Sequence, residues 1–276
     1  GFVVICGLLW ALHAANIVPL TWTGVADIAG YGILLLVAAF LGYVAFFTGQ
    51  DWEGTKKVLV VGILFVFTAL FWSAFEQAST SLNAFAQDFT NRTLLGWEMP
   101  TEFLQAINPL FIIALSPVFG ALWIRLAARN LNPNIPLKFA LGLLQLGLAF
   151  LVLTFAAGLA GGAAVDHTFV GEQGKVWPTW LCLTYLLFTT GELCLSPVGL
   201  STITKLSPPK FASQMMGIWF IAAALGNLIA GRVGGMIETL PHQSIFRTVA
   251  YIVLGAGVVL LIFTPIIQKR MMGDVR

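Results

Sequence analysis

Eight times over, this chain runs for roughly twenty residues with almost no charge, the length a helix needs to cross the hydrocarbon of a bilayer. The apolar runs cover 1–20, 27–48, 57–83, 102–126, 137–159, 176–204, 211–236 and 246–268. Lipid offers the backbone no hydrogen-bond partner, so a spanning segment must satisfy itself as a helix or close into a barrel. None of the runs alternates with the period of two that a barrel strand requires. The sequence therefore predicts an all-α integral membrane bundle. Charged residues make up 9% of the 276 and the mean hydropathy is +0.90, where soluble domains carry about 25% charge. The net charge of +2 is spread over loops, so the expected surroundings are a lipid bilayer and no nucleic acid.

Basic residues order the loops. Ten of the fourteen, namely Lys56, Lys57, Arg125, Arg129, Lys138, Lys205, Lys210, Lys269, Arg270 and Arg276, fall on one side of the eight spans. Arg92, Lys175, Arg232 and Arg247 fall on the other. The richer side is expected to be cytoplasmic, which puts both Gly1 and the C-terminus inside. The opening Gly-Phe-Val-Val-Ile has no Met and no basic lead-in, and reads as the middle of a longer protein. Cys6, Cys182 and Cys194 lie in apolar segments without metal spacing and read as small core residues. His13, His167 and His242 form no cluster, and no GxSxG, HExxH or phosphate loop is present. An intramembrane enzyme would need a His–Asp or Asp–Asp pair at membrane depth, and the spans offer neither, so no enzyme and no metal site is expected.

Two carboxylates stand inside the apolar runs: Glu76 in FWSAFEQAS and Glu192 in TTGELCLSPVGLS. An acid at the bilayer centre costs about 2.5–3.5 kcal/mol on insertion scales and marks an ion or substrate path. Trp72, Glu76, Ser79 and Asn83 are spaced to share one helical face; Ser79 and Asn83 also suit plain interhelical hydrogen bonding. Ser196 follows Glu192 by one turn, and Pro197 removes a helical hydrogen bond and frees a carbonyl. Desolvation favours the protonated form of any carboxylate and a neighbouring cation the ionised form, which is what proton coupling needs of Glu192. Gln105, Asn108-Pro109 and Ser116-Pro117 predict a bent fourth span with Asn108 at the bend. In the seventh span Ala222, Gly226 and Ala230 recur every four residues, and Gly231 and Gly235 form a GxxxG; both patterns read as close packing. Trp219-Phe220, taken alone, also reads as packing. With no Lys or Arg near mid-membrane, the two acids call for a cationic substrate group or for residues outside this chain.

FWxxFEQ (Phe71 to Gln77), QAINP (Gln105 to Pro109), GELCLSPVGLS (Gly191 to Ser201) and MGIWF (Met216 to Phe220) lie in that order on four helices. Together they resemble the proton-dependent oligopeptide transporters of the major facilitator superfamily. The resemblance spans about 57–268, the C-terminal six-helix half of such a transporter, and 1–48 resembles the two helices that bacterial members insert between halves. It implies two units: 1–56, two inserted helices and a cytoplasmic linker, and 57–276, the six-helix bundle. It implies proton-coupled symport of di- and tripeptides across a bacterial inner membrane, with protons as coupling ion and no cofactor. Residue by residue, it implies that Glu192 receives the peptide amino terminus and couples protons, with Ser196 beside it. Trp72 and Glu76 become pocket residues, Glu76 also in the proton path, and Asn108 binds the peptide backbone. Trp219 and Phe220 become walls of side-chain pockets, and Asp88 an outer-gate acid paired with an Arg of the other half. The family's ExxER stretch, pocket tyrosines and carboxylate-gripping bases belong to the N-terminal six-helix half, which is missing here. This chain alone is therefore not expected to transport. Two alternatives remain: the same fold carrying nitrate or another small solute, which two pocket acids disfavour unless neutralised, and a membrane scaffold that transports nothing.

Overall fold

Polar side chains start the helices where the apolar runs begin. In the computed structural model Thr21 caps helix α1 (Trp22–Phe47), its hydroxyl accepting from the Gly24 N–H at 3.0 Å. Asp51 caps α2 (Trp52–Phe75) by accepting from Gly54 N–H at 2.7 Å, and Asn134 caps α6 (Ile135–Leu159) by accepting from Leu137 N–H at 3.0 Å. Each cap satisfies one of the N–H groups that a helix start leaves without a partner. The structure describes residues 21–94, 96–160 and 174–273, with Gly7, Trp10, Ala11, His13, Ala14 and Ala15 before them.

The remaining elements are α3 (Ser81–Phe89), a short hairpin of β1 (Thr93–Leu94) and β2 (Trp97–Glu98), α4 (Thr101–Gln105), α5 (Ile107–Ala128), α7 (Thr179–Leu206), α8 (Ala212–Gly235) and α9 (His242–Ile266). The two strands pair antiparallel, Thr93 opposite Glu98. Among the described residues seven helical runs are long and apolar enough to cross a membrane: Gly24–Phe47, Trp52–Phe89, Thr101–Ala128, Ile135–Leu159, Thr179–Leu206, Pro209–Glu238 and His242–Met272. They match seven of the eight expected spans, and the chain is an integral membrane protein. The expected span 1–20 lies almost wholly outside the described residues. Helix α2 begins at Trp52, so Lys56 and Lys57 stand in its opening turns.

Two of these runs are broken. Between α2 and α3 the chain tightens into a 3-10 turn over Glu76–Ser79, and Thr80 leaves helical geometry at φ −116, ψ −94. Trp72, Glu76, Ser79 and Asn83 therefore do not lie on one straight helical face, as their spacing suggested. A tighter turn rotates everything beyond it. The other break falls at Ala106, between α4 and α5, which places Pro109 in the first turn of α5, where its missing N–H costs no helical bond.

Helix α6 is the spine, packed along α9 on one side and α7 on the other, while α2 pairs with α8 and α1 lies against both α2 and α8. Phe71, Phe85, Phe139, Phe150, Phe188 and Phe246 are fully buried between these layers. In lipid such contacts depend on close approach, and glycine permits it. A Cβ on Gly142 would sit 2.9 Å from the Gly191 carbonyl, and one on Gly191 would sit 2.9 Å from the Gly142 carbonyl. The Ala222-Gly226-Ala230 row is buried as expected, with a Gly226 Cβ placed 2.6 Å from the Trp72 Cβ and 2.8 Å from the Ser73 nitrogen. The GxxxG of Gly231 and Gly235 does not pack. Both positions are exposed, with nothing within 4 Å of an added Cβ, and Gly234 makes the contact instead, against Thr80. α5 buries no residue fully and forms an open edge of the bundle.

Candidate functional site

The break in the Trp52–Phe89 run is held by Gln77, which is fully buried. Its amide donates to the Ser73 and Ala230 carbonyls, each at 3.2 Å. Its carbonyl accepts from Thr80 Oγ1 at 3.1 Å and Ser81 Oγ at 2.7 Å. All four hydrogen-bonding positions of that side chain are thus used, and α8 is tied to the turn that ends α2. Glu76 sits on that turn, half-buried, with its carbonyl accepting from Ser79 Oγ at 2.9 Å. One turn earlier Trp72 presses its backbone on Gly226 and sets its ring edge-on to Phe75 at 5.3 Å.

Glu192 comes from the middle of α7, where Pro197 has no N–H to offer the Leu193 carbonyl. Asn108, in the first turn of α5, and Glu76, on the turn after α2, both lie close enough to Glu192 to act on its carboxylate. The structure thus brings together three expected residues from three helices. A fourth joins them that the sequence reading had not selected. Thr189, fully buried, sets its hydroxyl 2.5 Å from Asn108 Oδ1 and 2.8 Å from the Tyr185 carbonyl. With its Oδ1 accepting from Thr189, the Asn108 amide keeps its N–H groups for another partner.

Buried polar atoms without a hydrogen-bond partner among the described residues include Glu192 Oε2, Ser196 Oγ, Trp72 Nε1 and Asn83 Oδ1. Buried polar groups in proteins are nearly always satisfied, so those on Glu192, on Ser196 one turn away and on Trp72 one turn before Glu76 point to a polar ligand surface. The group supplies an acid able to hold a cation or a proton, an amide for a backbone and an indole donor. Two carboxylates within reach of each other repel when both are ionised, so a proton or a cationic group between them is favoured.

The two aromatics of α8 part company. Trp219 is 6% exposed and its ring fills the notch over Gly199, edge-on to Phe139 at 6.3 Å. Phe220 is 62% exposed on another face. Adjacent residues on a helix point about 100° apart, so the two rings face different surroundings, that of Trp219 lying over Gly199, two turns along α7 from Glu192. Asp88 is exposed near the end of α3 and makes no ion pair among the described residues. The hairpin beyond it is pinned by Arg92, which donates to the Met99 carbonyl and to Glu98 Oε1, each at 2.7 Å.

Gln77 was visible in the sequence only as the last letter of FWxxFEQ, and Thr189 only as a polar residue at short helical spacing from a better signal. Gln77 precedes Thr80 and Ser81, and Thr189 precedes Glu192 by three.

The family model for PTR2, the POT family, matches residues 26–252. Peptide transporter YePEPT of Yersinia enterocolitica is 38% identical over 269 residues, covering 96% of this chain and 50% of that protein. A di-/tripeptide transporter of Lactococcus lactis is 33% identical over 250 residues, covering 88% of this chain and 48% of that protein. Among solved structures, a crystal structure of a peptide transporter in complex with sulfate superposes with a TM-score of 0.83 at 33% identity, over 98% of this chain and 52% of that one. The chain spans about half the length of the relatives it matches.

Proposed function

This chain belongs to the POT family, and from that premise we propose that it forms the C-terminal half of a transporter carrying di- and tripeptides with protons into a bacterial cell. The observation that carries the reading is the Glu192–Asn108 pair, with Glu76 beside it and Glu192 Oε2 left without a partner. A peptide zwitterion brings an ammonium, a backbone amide and a carboxylate. Glu192 holds the ammonium, with Ser196 one turn away, Asn108 meets the backbone, Trp72 lines the pocket, and an N-terminal half supplies the cation for the carboxylate. The fit is complementary in charge: this half carries the acids and lacks a base at that depth.

Alternating access follows from rocking the two halves about the midplane site. Loss of the proton from Glu192 toward the cytoplasm leaves an anion that a base of the other half can pair, closing the inner gate. Glu76 shares the proton path, since its charge bears on Glu192. Asp88, exposed near the end of α3, takes its outer-gate partner from the other half. A proton moving inward gains about 2.3 kcal/mol per 100 mV, enough to drive uptake of a neutral peptide. The basic bias of the loops sets the C-terminus in the cytoplasm, and the proton is the coupling ion with no bound cofactor.

The test is uptake of labelled dialanine by proteoliposomes carrying the full-length transporter under an inward proton gradient, beside Glu192→Gln. Gradient-driven accumulation is expected in the parent and lost in the variant. Accumulation that persists in Glu192→Gln removes the coupling role. No accumulation by folded parent protein removes the peptide assignment and leaves other small solutes to be tried.

A further inference from the structure

In a helix surrounded by apolar side chains a serine or threonine ordinarily donates its hydroxyl to the carbonyl one turn back. Thr154, Thr202 and Thr264 do so at 2.6–2.8 Å, to the Phe150, Val198 and Leu260 carbonyls. Thr68 of α2 and Ser196 of α7 do not: each hydroxyl oxygen is buried with no hydrogen-bond partner among the described residues. Thr68 is 1% exposed. The two stand at one level. α2 and α7 lie three crossings apart and so run in opposite directions, and the Phe75 and Phe188 rings meet across their seam at 5.5 Å. Thr68 comes seven residues before Phe75 and Ser196 eight after Phe188. At the rise of an α-helix each lies about 10–12 Å from that contact, in the same direction. Seven residues return nearly to the same helical face, which turns Thr68 toward α7 as Phe75 is turned. Trp72 and Glu192 occupy the level between, and Trp72 Nε1 and Glu192 Oε2 are likewise buried without a hydrogen-bond partner among the described residues.

We propose that the Glu192 proton leaves down the α2–α7 seam, over a water that the Thr68 and Ser196 hydroxyls hold when the seam parts. The path rests on the proposed role of Glu192 in proton coupling. It leads toward the end of the bundle where Lys56 and Lys57 stand, the side read as cytoplasmic. In the structure the seam is shut, and all four polar atoms are packed away from any water-sized space. Leaving such atoms unsatisfied carries a free-energy cost that water relieves, so the shut seam is poised to open. An entering water accepts from Thr68, donates to Ser196 and keeps a lone pair for the carboxyl of Glu192. The Glu192 O–H bond breaks, its proton passes to that water, and the carboxylate stays behind as the excess proton moves on to solvent. When the seam closes again no water joins Glu192 to that side, so a proton taken up from the opposite side does not leak. Thr68 is thus a positioning residue, acting through the water and not on the peptide.

The experiment compares the full-length transporter with its Thr68→Val variant, which exchanges the hydroxyl for a methyl, in proteoliposomes. Gradient-driven accumulation of labelled dialanine needs a proton released in every cycle, whereas gradient-free counterflow returns the loaded carrier without net release. In Thr68→Val accumulation is expected to slow about tenfold, the worth in rate of one hydrogen bond to the group that takes the proton. Counterflow is expected to stay within about twofold, and the melting midpoint to hold or rise, because the methyl removes an unsatisfied buried hydroxyl. Thr68→Ser keeps the hydroxyl and should accumulate dialanine at close to the parent rate. Accumulation by Thr68→Val at the parent rate overturns the path, as does failure of Thr68→Ser to recover it. Equal losses in accumulation and counterflow overturn it too, since Thr68 would then act on the peptide. A lowered midpoint overturns it by showing that the hydroxyl has a partner in the folded protein. Glu192→Gln, assayed alongside, separates the path from the reading beneath it. Accumulation lost in Glu192→Gln and intact in Thr68→Val removes the path alone, while accumulation that persists in Glu192→Gln, or is absent in the parent, removes both.

Discussion

Thr189→Val exchanges a hydroxyl for a methyl of nearly the same size, so it tests one hydrogen bond without opening a cavity. Thr189 is fully buried and its Oγ1 lies 2.5 Å from Asn108 Oδ1. Removing that donor leaves the Asn108 carbonyl oxygen unsatisfied, which in a dry site costs about 1–3 kcal/mol. Asn108 is only half-buried, so water can replace part of the bond and the lower end applies, about 1–1.4 kcal/mol. The Tyr185 carbonyl also loses the Thr189 hydroxyl at 2.8 Å, but it sits inside α7, one turn before Thr189, and keeps its helical partner. The cost therefore falls on the orientation of the Asn108 amide. If Asn108 and Glu192 bind peptide, affinity should drop about five- to tenfold, because about 1.4 kcal/mol corresponds to a factor of ten. Gradient-free counterflow of dialanine in proteoliposomes reads this as a raised KM, with the thermal midpoint as a check on folding. Thr189→Ser, which keeps the hydroxyl, should recover KM to within about twofold. A KM for Thr189→Val equal to the parent's would refute the positioning role. Equal damage by Val and Ser would show that the methyl, which Ser lacks, matters as much as the hydrogen bond, which Val lacks.

Five further changes probe the frame around that site and the hairpin beyond it. Gly226→Ala drives a Cβ to 2.6 Å from the Trp72 Cβ and 2.8 Å from the Ser73 nitrogen, and overpacking against backbone should cost about 1–3 kcal/mol. Gly231→Ala, with nothing within 4 Å, should hold or raise the melting midpoint, since alanine favours helix by about 0.5–1 kcal/mol; equal losses at both positions would contradict the α2–α8 seam. Gln77→Leu strands the Thr80 and Ser81 hydroxyls and removes the tie to the Ala230 carbonyl, and should lower the midpoint by several degrees in a detergent melt; a neutral result would mean that the 3-10 turn holds without its anchor. Glu98→Gln should shift stability by at most about 1 kcal/mol, because Glu98 is 67% exposed in its pair with Arg92. Arg92→Ala should cost more, since it also removes the bond to the Met99 carbonyl.

The sequence disclosed the spans because each is a long apolar run legible on its own, three of them with a polar cap just ahead, at Thr21, Asp51 and Asn134. It disclosed the acids for the same local reason, since Glu76 and Glu192 are conspicuous wherever their helices lie. What it could not disclose is anything that depends on how one helix is turned against another. The face shared by Trp72 and Asn83 assumed unbroken periodicity, and four residues of 3-10 geometry at Glu76–Ser79 cancel that assumption. The Gly231–Gly235 motif and Gly234 differ by one step of rotation, and only the seam with Thr80 decides which glycine is used. Trp219 and Phe220 were equivalent as letters, yet the notch at Gly199 on another helix takes one ring and leaves the other outside.

The same logic explains why Thr189 and Gln77 went unselected while Glu192 and Asn108 did not. A threonine can satisfy its hydroxyl on its own helix, as Thr184 does on the Trp180 carbonyl at 2.9 Å, so hydroxyls in apolar helices carry little signal one at a time. Thr189 makes that same local bond to Tyr185 and also reaches Asn108 on α5. Its importance lies wholly in the second contact, which exists only because α5 crosses α7 at that depth. Charges in lipid identify themselves by their cost; the neutral residues that aim them are identified by the packing of the helices that carry them.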